Sequence, residues 1–183
     1  MSHCSRRDFI KIGTGLLSTC LLPSAGRSAL SPDNSHRTLS FYNTHTGEEL
    51  ITCYFKNGTY CPDAMSRINH ILRDHCTGDI KAIDPRLMDL LNSVYRQLAC
   101  SAPFHILSGY RSPKTNDRLR KKRSGVAKSS YHILGRAIDI RLPGCNTRQL
   151  RKACLDLKQG GVGYYPRYGF VHVDTGSFRT WRG

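Results

Sequence analysis

Several absences narrow the field before any motif is considered. No apolar run approaches the roughly 18 residues that a membrane-spanning helix requires, so no integral membrane segment is expected once a leader is removed. None of the eight cysteines stands in a Cys-x-x-Cys pair, which argues against a zinc site built from cysteine pairs. No segment repeats, and no long stretch is too polar or too monotonous to fold. Acidic residues are scarce, 13 against 28 lysines and arginines.

What is present suits one compact domain behind a leader. Residues 1–30 read as an export signal: a basic start with Arg6, Arg7 and Lys11, a short apolar middle from Ile12 to Leu22, and small residues after Pro23. The paired arginines followed by Phe9 and Lys11 resemble the twin-arginine signal, which carries folded proteins across a bacterial inner membrane. Residues 31–183 then form the domain. The leader holds Cys4 and Cys20, leaving Cys53, Cys61, Cys76, Cys100, Cys145 and Cys154, which can pair in an oxidising compartment or remain buried thiols. Net charge is +15, most of it in the domain. That balance favours anionic partners. Export removes nucleic acid from the choice and points to an acidic polymer outside the cytoplasm.

Hydrophobic periodicity predicts a mixed fold. Leu39–Phe41 and Leu50–Phe55 flank a turn at His45-Thr46-Gly47 and read as a β-hairpin. Asp63 is expected to cap a helix carrying Ala64, Ile68, Ile71 and Leu72, and Asp84-Pro85 to open a second with Leu87, Leu91, Val94 and Leu98 on one face. Phe104–Leu107 reads as a buried strand and Ser112-Pro113 as the start of a short basic helix stopped by Gly125. Arg136–Leu142 alternates like a strand, Asn146 or Thr147 caps a last helix that ends at Gly160-Gly161, and strands follow near Phe170–Asp174 and Phe178–Trp181. There is no regular βαβ alternation, so the class is α+β: a single domain with a mainly antiparallel sheet flanked by helices.

Two of these strands carry misplaced polar residues. In Arg136–Leu142, Ile138, Ile140 and Leu142 point one way, Asp139 and Arg141 the other. A carboxylate in a strand needs a partner, and Arg141 on the same face offers a plain ion pair. In Phe170–Asp174 the valines point inward, with His172 and Asp174 opposite. Add His132 in a glycine-containing loop, and two imidazoles with one carboxylate make a usual first shell for zinc with one position left open, the arrangement of catalytic rather than structural sites.

The run Ser130-Tyr131-His132-Ile133-Leu134-Gly135-Arg136-Ala137-Ile138-Asp139 resembles the Ser-x-His-x-x-Gly-x-Ala-x-Asp motif of the superfamily of lysostaphin, zinc D-Ala-D-Ala carboxypeptidases and the hedgehog signalling domain. Asn43–Glu48, Ser108–Asn116, Gly161–Pro166 and Phe170–Gly176 are most similar to the YcbK-like murein endopeptidases. The resemblance implies a hedgehog/DD-peptidase-like fold, Zn2+ held by His132, Asp139 and His172, and peptidoglycan stem peptides as substrate. It also implies that Arg111 binds substrate or steadies the oxyanion, the alternative being a surface turn arginine, and that Ser130 either contacts substrate or caps its loop.

The chain departs from its relatives at the general base. Where they carry Glu three residues before the last ligand, or His two before it, this chain has Gly169 and Phe170. Asp174 is the expected substitute, as base or as the partner that orients His172. A non-catalytic wall-binding module and a carboxypeptidase trimming D-Ala are the alternative activities. The basic run Arg111, Lys114, Arg118, Arg120, Lys121, Lys122 and Arg123 is either a wall-capturing surface or a solvated helix face.

Overall fold

The computed structural model describes residues 35–122 and 125–183; the leader expected over residues 1–30, and Arg123 of the basic run, lie outside the described residues. Eight strands and four helices follow in the order β1 His36–Asn43, β2 Glu49–Lys56, β3 Thr59–Tyr60, α1 Pro62–Ile71, α2 Pro85–Leu98, β4 Phe104–Ser108, α3 Pro113–Lys122, β5 Ala137–Arg141, α4 Thr147–Asp156, β6 Gly161–Tyr165, β7 Phe170–Asp174 and β8 Arg179–Arg182. The strands form one sheet in the order β3-β2-β1-β4-β5-β7-β6-β8. Neighbours run antiparallel except β1 with β4 and β6 with β8. The α+β class with a mainly antiparallel sheet is therefore the observed one. No described helix is long and apolar enough to cross a membrane.

One face of the sheet is apolar. Leu39, Phe41, Phe104, Ile138, Ile140, Val171 and Val173 pack with Ile68 and Ile71 of α1, Leu87, Leu91 and Val94 of α2, and Leu150 and Ala153 of α4 in a continuous core. Ile138, Ile140, Val171 and Val173 are completely buried, each contributing roughly 1.5–3 kcal/mol relative to exposure. The polar alternates of the same strands are thereby forced to the opposite face.

Local chemistry explains where the elements begin and end, with two corrections. Asp63 does not cap α1: Cys61 occupies the N-cap, without a side-chain hydrogen bond, because Pro62 takes the first helical position. Asp63 instead sits in the first turn, where its charge suits the helix dipole. The strand β6 was not expected, since Gly160-Gly161 reads as a helix stop; it exists because it pairs with β7 and β8 on either side. Asp84 does cap α2, accepting from Arg86 N, and Asn146 caps α4 through a reciprocal bond with Gln149. The six cysteines in the described residues are all free thiols.

The start of α3 is tied down from a distant loop. Buried Asp74 accepts from the Ser112 amide at 2.9 Å and its hydroxyl at 2.7 Å, and from the Cys76 amide at 2.8 Å. Burial alone would raise its carboxyl; the hydrogen bonds from Ser112, Thr115 and Cys76 hold it at about 2, against an ordinary 3.8. Its stabilisation is complete above the unfolded value and is lost as the pH falls through the folded one. Asp74→Ala is expected to lose roughly 2–3 kcal/mol in urea unfolding at neutral pH, by stranding the buried Ser112 donors. Asp74→Asn should flatten the acid limb of the stability curve between about pH 4 and pH 2.

Candidate metal centre

The polar face of the sheet builds a row of residues across neighbouring strands. A register shift after Ile106 in β4 brings Ser108 level with Asp139, and Asp139 pairs directly with His172 in the antiparallel β5–β7 ladder. His132 arrives from the loop between α3 and β5, a tight coil in which the Ile133, Leu134 and Gly135 amides bond back to the Ser130, Tyr131 and His132 carbonyls. Gly135 closes the coil at φ +66°, and a Cβ there would stand 2.4 Å from the Ala82 carbonyl oxygen. The glycine of the motif is thus a packing requirement.

Three atoms converge. His172 Nδ1 lies 2.8 Å from Asp139 Oδ1 and 3.1 Å from His132 Nε2, and His132 Nε2 lies 3.3 Å from Asp139 Oδ1. A tetrahedral zinc with N and O ligands at about 2.0–2.1 Å spaces its ligands roughly 3.3 Å apart, so a modest expansion of this triangle fits the ion. The other ring nitrogens are pinned. His132 Nδ1 donates to the Gly109 carbonyl at 2.7 Å and His172 Nε2 to Asp174 Oδ2 at 3.1 Å. With those protons placed, the remaining nitrogens present lone pairs to the same point as the carboxylate.

Electrostatics agree with the geometry. Burial lowers His132, keeping it neutral. Burial would lower His172 as well, but hydrogen bonds to Asp139 and Asp174 raise it overall. Burial would raise Asp139, yet His132 and His172 hold it well below the usual carboxylate range. The ionised carboxylate between the two rings thus favours positive charge at the triangle.

The remaining expected residues fall into place around it. Asp139 does not pair with Arg141, whose guanidinium turns outward to the Tyr168 carbonyl at 2.6 Å. Its cationic neighbour is Arg111, 3.6 Å from Oδ2 and mostly buried rather than on a surface turn. Arg111 is held by Ser108 Oγ and Asn116 Oδ1, each at 3.3 Å. Ser130 Oγ accepts from the His132 amide at 3.3 Å, capping the loop, and also lines the cleft. Asp174 is fully buried and lies against Nε2 of His172, the nitrogen that points away from the triangle. Its oxygens also accept from the Gly161 and Gly176 amides and, in a two-pronged pair at 3.0 and 2.7 Å, from Arg179.

The triangle opens on a cleft of about 1070 Å³ whose lining includes Arg111, Lys122, Ser130, Tyr131, Tyr165, Phe170, Arg179 and Trp181. Sequence patterns did not single out Asn116, Arg179 or the Gly109 carbonyl: Asn116 and Arg179 act on side chains five positions away, Arg111 and Asp174, across a break between elements, and Gly109 acts through its backbone on a residue 23 positions on. Asn116 offered one signal, an amide within a strongly basic helix, and the structure buries it completely. On α3, Lys114, Arg118, Arg120, Lys121 and Lys122 are exposed while Thr115 and Asn116 face inward.

Comparison with known proteins bears on the same segments. The family described as peptidoglycan L,D-endopeptidase MepK matches residues 31–181. Proteins named peptidoglycan L,D-endopeptidase MepK from Escherichia coli strain K12 and from Shigella flexneri are each 40% identical over 177 residues, covering 97% of both chains. A Haemophilus influenzae protein named "Probable peptidoglycan L,D-endopeptidase MepK" is 34% identical over 180 residues, 98% of this chain and 96% of that one. No solved structure matches the chain.

Removing the guanidinium from Asp174 leaves a buried carboxylate with two fewer donors. Arg179→Ala is therefore expected to cost about 2 kcal/mol of stability in chemical denaturation. Arg179→Lys should recover only part of that, because an ammonium cannot reproduce the fork.

Proposed function

The chain belongs to the peptidoglycan L,D-endopeptidase MepK family, and on that premise we propose that it is a zinc-dependent enzyme hydrolysing L,D peptide cross-links of the cell wall, with His132, Asp139 and His172 as the metal ligands. The observation that carries the metal assignment is the convergence of three lone-pair atoms within 3.3 Å, both imidazoles being pinned from behind. When bound, zinc supplies Lewis-acid polarisation of the scissile carbonyl and acidifies a water.

The protein's own groups do the positioning. Arg111 stands beside Asp139 with donors toward the cleft, suited to an oxygen that becomes negative or to a stem-peptide carboxylate. Ser130 fixes the His132 loop and borders the substrate space. Asp174 acts by orienting His172 and sharpening its basicity toward the metal rather than by taking a proton from water. Its two oxygens are committed to five donors and its carboxyl is held far below the usual range, despite burial, by His172, Arg179 and Gly176. The exposed cations of α3, one of them on the cleft margin, draw the anionic wall polymer toward the site. The twin-arginine pattern at Arg6-Arg7 supports export after folding.

Zinc-loaded protein should convert cross-linked muropeptide dimers to monomers, and chelation or His132→Ala should abolish the release; equal digestion with and without chelator would remove the metal from the chemistry. Asp174→Asn separates the two roles. As an orienting residue it lowers zinc affinity about 10- to 100-fold, with turnover recovered in excess zinc. Full zinc occupancy with turnover still lost would make Asp174 the base.

A further inference from the structure

The cleft contains a second built feature beside the metal triangle. Gly163 in β6 pairs with His172 on one side and with Trp181 on the other. Because position 163 has no side chain, the Trp181 indole lies across it. A Cβ there would stand 2.6 Å from two ring carbons. The indole thus reaches the metal face, its ring 5.1 Å from that of His172. Its Nε1–H donates to the Tyr165 hydroxyl at 2.9 Å.

Tyr165 is fixed from two directions. Its ring stacks on Phe170 at 4.5 Å with 13° between the planes, and its oxygen is tied to the indole. It projects from the face of β6 that carries Gly163, and Arg111 lines the same cleft. A phenol has one proton to give and two lone pairs to receive. The indole N–H, which can only donate, occupies one lone pair, so the proton cannot be spent on Trp181. Among the described residues no acceptor takes it, and both side chains line the cleft.

We propose that Tyr165 is a substrate-binding residue of this site: its hydroxyl, aimed by Trp181, donates to an oxygen of the bound cross-link peptide on the side of the cleft shared with Arg111. The assignment rests on the peptidase function above. Arg111 takes charge through its fork, whereas the phenol supplies one directed hydrogen bond, and together they orient the peptide across the metal ligands. Gly163 is part of the device, since any side chain there would lift the indole away.

Trp181 is the chain's only tryptophan, so its fluorescence reports this contact without turnover. Metal-free protein titrated with soluble cross-linked muropeptide dimer should show a saturable change in emission. Tyr165→Phe should shift the free-protein emission, by removing the indole's acceptor, and weaken dimer binding about 10-fold. Gly163→Ala should weaken binding in the same direction with the phenol still present. In zinc-loaded enzyme, Tyr165→Phe should raise KM for the dimer more than it lowers kcat. A dimer with amidated carboxylates that loses the Tyr165 dependence identifies a carboxylate as the acceptor; one that keeps it identifies a peptide carbonyl. Wild-type affinity and KM in Tyr165→Phe would overturn the role of Tyr165 while leaving the peptidase function intact. Wild-type protein that neither changes emission nor releases monomers would overturn both.

Discussion

The pairing of β5 with β7 is the constraint on which the site depends. Asp139 and His172 meet because they are register partners in an antiparallel ladder. That register is held by Ile138, Ile140, Val171 and Val173 on the other face. Side chains alternate with a period of two, so a slip of one residue would drive His172 into the core and bring a valine to the metal face. The apolar face therefore specifies the polar one.

Around that pair the fold leaves little freedom. His132 is held at its rear nitrogen by Gly109 O, and Gly109 itself packs against Leu72 at the end of α1. His172 is held by Asp174, which is in turn held by Arg179 and two backbone amides. Thr175, next along the chain, donates to Asp84 at the start of α2 and accepts from Arg136. Both histidines are thus held at their rear nitrogens by groups that the fold itself fixes. Such support fixes the geometry of the three side chains while the cleft side of the site stays open.

The same economy explains the missing acid–base residue. Three and two positions before His172 stand Gly169 and Phe170, and Phe170 stacks against Tyr165. The carboxylate that remains nearby, Asp174, faces the rear nitrogen of His172. Arg111, Lys122 and the Tyr165 hydroxyl are among the groups lining the cleft and can donate to it, so that side of the site is suited to negative charge and to holding a peptide.

The helices and most strands were legible from apolar periodicity and from caps such as Asp84 and Asn146, because those signals are local. His132, Asp139 and His172 stood out for a related reason: Asp139 and His172 are polar residues within strands, and His132 lies in the glycine-containing loop of a recognisable motif. The strand β6 was not legible, since its glycines read as a stop. Gly163 is there to admit the ring of Trp181, a residue eighteen positions on that the parallel β6–β8 pairing brings alongside. Asp63 misled because a capping residue type is common in a helix's first turn as well as before it. The sequence by itself determined which residues are of a type able to bind a metal and which faces must be buried, since composition and alternation are properties of the chain. Only the tertiary structure decided that Asp139 pairs with His172 and Arg111 rather than Arg141, that Asp174 faces the rear of its histidine, and that Tyr165 and Trp181 share a hydrogen bond. Those outcomes depend on strand order, register and the hydrogen bonds between distant segments, which exist only once the sheet has closed over its core.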